Sequence, residues 1–500
     1  MSESQTPMSV DAPRLFETGI PNLDVLLGGG IPRRLSLIIT GNPGGGKTIL
    51  ASQIAFLAAA RGVPVVFATV TSEPHDKLIE QLSGFRFFRP DLVGEQFFLI
   101  NTYAAVKKGD KETRDLMVDT VRDRGAKLLV IDGMRSLRDV WRDESRMREF
   151  LYELGTVLAA MDCIGLFTTE YAPARLMDLA EANTLDGILS LTMKEHGVRR
   201  PRRIEVMKLR GRPHLTGEHF LEIGDEGIRI VPRLEALPPP ALDSVPPDGR
   251  AGFGVPQFDA LMDGGLPVGS TTMLAGSMGI GKTLFSLHFA LDGARKEEKA
   301  LFISFVEEPG VLVARAQRLA LDLKPFIASG ALKLLFKPPA EIEADDLIDG
   351  VLAELERLGA KRLVIDGLGT LELSVVDADR REMFFAALSR RLRLAGLTTV
   401  FTKEVAKVAG GELDFSNTPI AILGENLLLL RFVELRGRIH RILSVLKMRD
   451  SKYQSDVREF EITDRGIRVL APLRSAQGLL TGQAVPIGST LGEGAGKETS

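Results

Sequence analysis

"LIITGNPGGGKTIL" occupies residues 37–50 and "MLAGSMGIGKTLFS" residues 273–286. In each, an apolar strand-like run feeds G-x-x-x-x-G-K-[ST], and an apolar helical pattern follows, which is the setting a phosphate-binding loop requires. Glycines let the backbone turn tightly, so that consecutive N–H groups face phosphate oxygens. The helix that starts there adds partial positive charge. The expected nucleotide contacts are Gly41, Asn42, Pro43, Gly44, Gly45, Gly46, Lys47 and Thr48, and in the second copy Gly276, Ser277, Met278, Gly279, Ile280, Gly281, Lys282 and Thr283. Lys47 and Lys282 are expected to reach the β- and γ-phosphates of ATP, and Thr48 and Thr283 to hold Mg²⁺.

The repetition extends well beyond these loops. "TGIPNLDVLLGGGIPRRLSLIITGNPGGGKT" (18–48) parallels "FGVPQFDALMDGGLPVGSTTMLAGSMGIGKT" (253–283), "AKLLVIDG" (126–133) parallels "AKRLVIDG" (360–367), and "VMKLRG" (206–211) parallels "VLKMRD" (445–450). The offsets nearly agree: 276 − 41 = 235, 366 − 132 = 234 and 447 − 208 = 239. Two homologous domains in tandem account for this. The boundaries read as a flexible N-terminus over 1–14, domains over 15–231 and 251–471, a proline-rich spacer over 232–250 and a Gly/Ser/Thr-rich tail over 472–500.

Within each half, short apolar runs alternate with helical patterns. In the first half "LSLIIT", "VPVVFATV", "QFFLINTY", "KLLVID" and "IGLFTTE" read as strands, separated by stretches such as "KTILASQIAFLAAA". That alternation predicts an α/β fold, a mostly parallel twisted sheet flanked by helices in each half. Ligands of such sheets bind beyond the carboxyl ends of the strands. Asp132 and Asp366 end the strands "LLVID" and "RLVID", where a carboxylate can hold magnesium through its water shell; capping the next turn is the alternative. "ADDLIDGVLAELERLG" (344–359) reads as a crossover helix.

The composition narrows the function classes. A formal charge of −3 and a pI near 6.2 give no global basic field for nucleic acid or anionic membrane. The dense basic run "VRRPRR" (198–203) lacks interleaved aromatics for base stacking and reads as a solvated or subunit-facing edge. The single cysteine, Cys163, excludes an internal disulfide and suits a reducing compartment. It begins an apolar run and reads as a small buried hydrophobe. No signal-peptide layout or membrane-length apolar stretch is visible, so a cytoplasmic protein is expected.

The chain resembles the KaiC-like family of RecA-type double ATPases over residues 15–471. The "TGIPNLD…GGGIP" lead-in, both phosphate loops and both "VIDG" strands carry the resemblance, together with "KLRGRPHLTGEHF" (208–220) and "LKMRDSKYQSDVREFEI" (446–462). It implies two tandem RecA-like P-loop NTPase domains, a double-ringed homo-hexamer with ATP between neighbours, and a KaiB-like or other signalling protein as partner. It also implies that Lys208 and Arg210, and Lys447 and Arg449, reach a neighbour's γ-phosphate; alternate strand residues share a face, so K-x-R presents two cations together. His214 matches a family position near the neighbour's nucleotide, where the second half has Tyr453.

Two departures from the family pattern follow. Counting from the shared proline, its consecutive glutamates fall on Thr71-Ser72 in "FATVTSEPHD" and on Val306-Glu307 in "FISFVEEPGV". The second half is therefore expected to hydrolyse ATP with Glu307, helped by Glu308, and the first half to bind ATP mainly to hold the ring together. Glu73, one residue later, is left as a catalytic substitute or as a cap of the helix "PHDKLIEQL". The clock members' phosphorylated Ser-Thr pair aligns with Ala421 and Ile422, which have no hydroxyl, although Ser416 and Thr418 lie nearby. An ATPase is the leading reading, beside a Ser/Thr autokinase, a DNA-dependent motor and a nucleotide-gated scaffold.

Overall fold

The computed structural model describes residues 15–70, 75–177, 180–195, 199–238, 248–339, 342–405, 423–435, 437–449, 451–472, 476–477 and 485–486. The chain divides into two units, Met1–Leu237 and Pro238–Ser500, each with its own nine-stranded sheet and core. Thr71–Pro74, and the stretch 406–422 with Ser416, Thr418, Ala421 and Ile422, lie outside the described residues.

In the first unit the apolar runs form β1 (Ser36–Gly41), β2 (Val65–Thr69), β3 (Phe97–Asn101), β4 (Leu128–Asp132), β5 (Ile164–Thr168) and β6 (Gly187–Met193). They are followed by β7 (Arg202–Leu209), β8 (His219–Gly224) and β9 (Gly227–Val231). Across the sheet they run β9-β8-β7-β6-β1-β5-β4-β2-β3. β1 to β6 pair in parallel, and β6 to β9 pair antiparallel. All six residues of β1 are buried, as expected of a central strand covered on both faces.

The second unit repeats this arrangement. Its strands are β10 (Thr271–Gly276), β11 (Ala300–Ser304), β12 (Leu332–Phe336), β13 (Arg362–Asp366) and β14 (Thr398–Glu404), then β15 (Asn426–Leu435), β16 (Arg438–Met448), β17 (Arg458–Thr463) and β18 (Gly466–Pro472). Their order, β12-β11-β13-β14-β10-β15-β16-β17-β18, is that of the first sheet strand for strand. The tandem α/β architecture read from the repeat is thus the architecture observed. Part of the expected tail is paired: Ala476–Gln477 lies antiparallel to Val485–Pro486, a ladder its composition did not suggest.

The helix after each phosphate loop packs directly on the sheet. Lys47–Ala60 buries Leu50, Ile54, Ala55 and Phe56, and the Phe56 ring stacks on Phe97 of β3 with centroids 4.2 Å apart. Such a pair adds about 1 kcal/mol beyond the area it buries. Lys282–Arg295 is equally enclosed, with Phe285 and Phe289 packed edge-on or tilted against Phe253 of the lead-in. The amphipathic stretch of the second unit forms the helix Ala344–Leu358, which buries Leu347, Ile348, Val351 and Leu355 and ends at Gly359 in a left-handed conformation, φ 61°. Cys163 is fully buried just before β5, and burial pushes its thiol up to about 12. Among the described residues no helix is long and apolar enough to cross a membrane.

This topology assembles one edge. β1 lies between β5 and β6; it leads by a helix to β2 on one side while β5 leads to β6 on the other, so the chain parts at the carboxyl end of β1. Gly41, Asp132 and Thr168 end β1, β4 and β5 and therefore meet along that edge. Gly276, Asp366 and Thr402 do the same in the second unit.

Candidate active site

Each phosphate loop is shaped by a close approach that only glycine permits. A Cβ on Gly41 would lie 1.9 Å from the Leu191 carbonyl oxygen of β6, and one on Gly276 would lie 2.7 Å from that of Leu430 in β15. Gly46 and Gly281, immediately before the helices, have φ of 100° and 120°, a region that side chains avoid. Between them the chain turns outward: Asn42 and Pro43 are exposed, as is Met278, whereas Ile280 is buried in the core.

Lys47 is buried at the start of its helix, and its Nζ donates to the Asn42 carbonyl at 3.0 Å. Lys282 Nζ donates to the carbonyls of Gly276 at 2.9 Å and Ser277 at 2.8 Å. Thr48 Oγ1 donates to both Asp132 oxygens at 3.1 Å, and Thr283 Oγ1 donates to Asp366 Oδ2 at 2.9 Å. A second hydroxyl reaches each carboxylate from the neighbouring strand. Thr168 donates to Asp132, and Thr402 to Asp366 at 2.6 Å. Each of these threonines also accepts the N–H of the glycine after the aspartate, Gly133 at 2.9 Å and Gly367 at 2.8 Å.

Burial sets the electrostatics of both sites. Burial lowers the Lys47 ammonium below the ordinary lysine range, with the charges of Glu170 and Asp132 acting in the opposite direction. Lys282 is lowered likewise against Glu404 and Asp366. Burial also raises both carboxyls, opposed at Asp132 by the Thr168 and Thr48 hydrogen bonds and at Asp366 by those of Thr402 and Thr283. At each site the opposite charges offset only part of the cost of desolvating the ammonium and the carboxylate. A polyphosphate over the loop and a divalent cation at the Thr-Asp pair would offset the rest, so these residues fit ATP with Mg²⁺. In the first unit a cleft of about 660 Å³ opens over the loop, lined by Lys47, Thr48, Asp132, Arg135, Glu170 and Arg202 among others.

Several of these side chains were not singled out in the sequence. Thr168 and Glu170 belong to "FTTE" (167–170), and Thr402 and Glu404 to "FTKE" (401–404), at the same 234-residue offset as the two "VIDG" strands (402 − 168 = 234). That shared offset was the available signal. Arg202, part of the basic run read as an outer edge, donates to the Gly44 carbonyl at 3.3 Å and borders its own unit's cleft.

The candidate bases are distributed unequally. Glu307 follows β11, where Ser304 Oγ accepts the N–H groups of Val306 at 3.2 Å and Glu307 at 2.9 Å. Its Oε1 accepts from Arg315 at 2.6 Å, while Oε2 is buried without a partner among the described residues. The Glu307 charge contributes to the raised Asp366 carboxyl, so the two acids share one site. Glu308 is exposed at the N-cap of the helix Pro309–Arg318. Glu73 lies outside the described residues.

The K-x-R pairs stand at the other end of the sheet. Lys208 pairs in register with Ile188 of β6, whereas Gly41 pairs with Leu191. Three residues of strand and two strand spacings separate them, so Lys208 lies roughly 14 Å from its own loop, which runs farther away. Lys208 Nζ donates to the carbonyls of Ala182 and Leu185, both at 2.7 Å, and Arg210 donates to the Asn183 carbonyl at 3.0 Å. In the second unit Lys447 donates to the Gly424 carbonyl at 2.9 Å, and Arg449 follows it at the end of β16. His214 lies at this far end too, with Nδ1 buried and unpartnered. Tyr453 is exposed, its hydroxyl 3.4 Å from the Leu446 carbonyl.

Comparison with known proteins agrees with this geometry. The profile of the ATPase family KaiC matches residues 16–235 and again residues 251–474. The circadian clock oscillator protein KaiC of Picosynechococcus is 26% identical over 485 residues, covering 94% of this chain and 92% of that protein. The circadian clock protein KaiC3 of Synechocystis is 27% identical over 485 residues, covering 93% and 94%. The circadian clock oscillator protein KaiC of Synechococcus elongatus is 26% identical over 485 residues, covering 94% and 92%.

Proposed function

The chain belongs to the KaiC family of ATPases, and from that premise we propose that it hydrolyses Mg²⁺-ATP at sites shared between neighbouring copies in a hexameric ring, the second unit being the more active hydrolase. ATP state would then set the conformation of the ring and the proteins that bind it. The observation that carries this reading is the convergence of Lys282, Thr283, Asp366 and Glu307 on one strand edge, with a Glu307 oxygen left unpaired. The phosphate loop and its lysine would bind the β- and γ-phosphates, and Thr283 with Asp366 would hold the metal, whose charge would offset that of the phosphates. Glu307 takes the proton of the attacking water as the bond from γ-phosphorus to the bridging oxygen breaks, leaving ADP and phosphate.

The positions of Lys208, Arg210, Lys447 and Arg449 support sharing between copies. Too far from their own loops, they would serve the loop of an adjoining chain, where two cations offset charge on the transferring group. His214 would accompany the first pair. In the first unit Lys47, Thr48 and Asp132 form the same binding apparatus, which supports nucleotide binding there with ring cohesion as its main result.

Steady-state ATP hydrolysis by wild type and Glu307→Gln, with assembly measured in parallel, tests the proposal. Turnover should fall by about 10²-fold or more while rings persist. Surviving turnover would move the engine to the first unit. Labelled γ-phosphate appearing in the protein, single-stranded DNA stimulating turnover, or rings with no turnover in wild type would favour the autokinase, the motor and the scaffold respectively.

A further inference from the structure

Arg315 does nothing obvious for the fold. It is an exposed residue on the helix Pro309–Arg318, and its guanidinium turns back to the loop before the helix to hold Glu307 Oε1 at 2.6 Å. The backbone of Glu307 is fixed separately, by the N–H groups of Val306 and Glu307 that donate to the buried Ser304 hydroxyl. Ser304 ends β11 directly beside Asp366 in the parallel ladder, which ties this loop to the metal-binding edge. The carboxylate is thus held at one oxygen and at its backbone, while the other oxygen is buried and has no donor among the described residues. A buried carboxylate oxygen without a partner is costly unless something arrives to bond it.

The first unit supplies a contrast. Counting from the shared proline, Arg315 corresponds to Glu80, and Glu307 to Ser72 (315 − 235 = 80; 307 − 235 = 72). Glu80 lies exposed on the helix His75–Leu82. The half without the glutamate has no arginine at this position, and carries the opposite charge there.

We propose that Arg315 is a positioning residue for hydrolysis in the second unit: by occupying Oε1 it holds the Glu307 carboxylate in one rotamer, with Oε2 presented to the attacking water. The inference rests on the assignment of Glu307 as base. An arginine suits this task, because its planar fork fixes direction as well as charge. Losing it would leave Glu307 able to rotate, and misplacement of a catalytic group by about 1 Å can cost up to about a hundredfold in rate.

The test uses the full-length protein, with Arg315→Ala, Arg315→Lys, Glu307→Gln and the Arg315→Ala/Glu307→Gln double variant; Arg318→Ala, on the same helix, serves as control. Assembly and thermal stability are measured beside kcat and KM for ATP. The expected result is kcat lower by about tenfold or more in Arg315→Ala, KM unchanged, partial recovery in Arg315→Lys, and no further loss when Arg315→Ala is added to Glu307→Gln. Arg318→Ala should behave as wild type. Unchanged or raised kcat in Arg315→Ala, with Glu307→Gln still inactive, would overturn the role of Arg315 and leave that of Glu307 standing. Full turnover in Glu307→Gln would instead remove the base and the arginine's role with it. A loss in Arg315→Ala that follows lowered stability, or that adds to the Glu307→Gln loss, would mark the arginine as structural and overturn the proposal.

Discussion

The two units share a strand order and a phosphate loop but solve the same packing problem with different chemistry. At the start of β4 the first unit has Leu128, fully buried, with Leu57 and Val63 partly buried in the same core. The corresponding positions in the second unit are Arg362, Asp292 and Glu298. Arg362, 1% exposed, bonds Glu298 at 2.6 Å, pairs with Asp292 at 3.2 Å, and donates to the Gly252 and Phe289 carbonyls at 2.6 Å and 2.8 Å. Leu57 approaches Gly19 in the first lead-in just as Asp292 approaches Gly254 in the second, which confirms the equivalence. In the first unit Arg61, from the end of the helix, bonds the Glu17 carbonyl at 2.6 Å beside this apolar packing, whereas in the second the buried Arg362 bonds the equivalent Gly252 carbonyl and two acids. The difference shows that the duplicated fold tolerates such an exchange when all three members change together.

That comparison is most easily broken at its centre. Arg362→Leu alone should destabilise the second unit by about 3–5 kcal/mol, because two acids stay behind without their cation. Adding Asp292→Leu and Glu298→Val, the residues of the first unit, should restore most of the loss. Denaturant melts of the single and triple variants check both statements.

The phosphate loops offer the next largest contrast. Lys282→Ala should lower ATP turnover by about 10²-fold, since the cation that faces the transferring group is lost. Lys47→Ala should weaken assembly more than it weakens turnover per assembled ring. Hydrolysis assays paired with sedimentation separate these effects. Equal losses of turnover in both variants would make the two halves functional equals.

A third contrast concerns the strand that follows the last turn of each sheet. Gln53 accepts the Ile228 N–H at 2.7 Å and returns a bond to its carbonyl at 3.4 Å, whereas His288 at the equivalent position only accepts, from Ile467 N–H at 3.5 Å. The acceptor nitrogen must be unprotonated, and burial lowers the His288 pKa from 6.5 to about 4. Above pH 6.5 the ring is neutral in both folded and unfolded chains. Below it the unfolded chain takes up a proton that the folded chain refuses, so stability falls as pH falls until it passes about 4. The second unit should lose about 2 kcal/mol from this group between pH 7 and pH 5. His288→Gln should flatten that slope, as equilibrium unfolding at the two pH values would show.

The smallest expected effect is at Cys163. With its thiol pushed up to about 12 and fully buried, it should resist thiol reagents at neutral pH until the first unit unfolds. Reagent uptake that precedes loss of structure would contradict this.

Much of this molecule was legible in the chain itself. Glycine spacing, the lysine and the following hydroxyl specify the phosphate loop because backbone N–H groups and one cation are all it needs, and these are local. The strands were visible because a parallel sheet buried on both faces demands unbroken apolar runs such as "LLVID". The unequal pairs Thr71-Ser72 and Val306-Glu307 also stand in the sequence, and they carry the expectation of unequal halves. What the sequence could not decide is what residues far apart along the chain do to one another. That Thr168 and Thr402 hold Asp132 and Asp366, that Arg202 turns toward its own loop while Lys208 six residues later points away from it, and that Arg315 holds Glu307 all depend on which strand lies beside which. Strand order and register set those neighbours, and they arise from packing the whole sheet, so only the tertiary structure determined them.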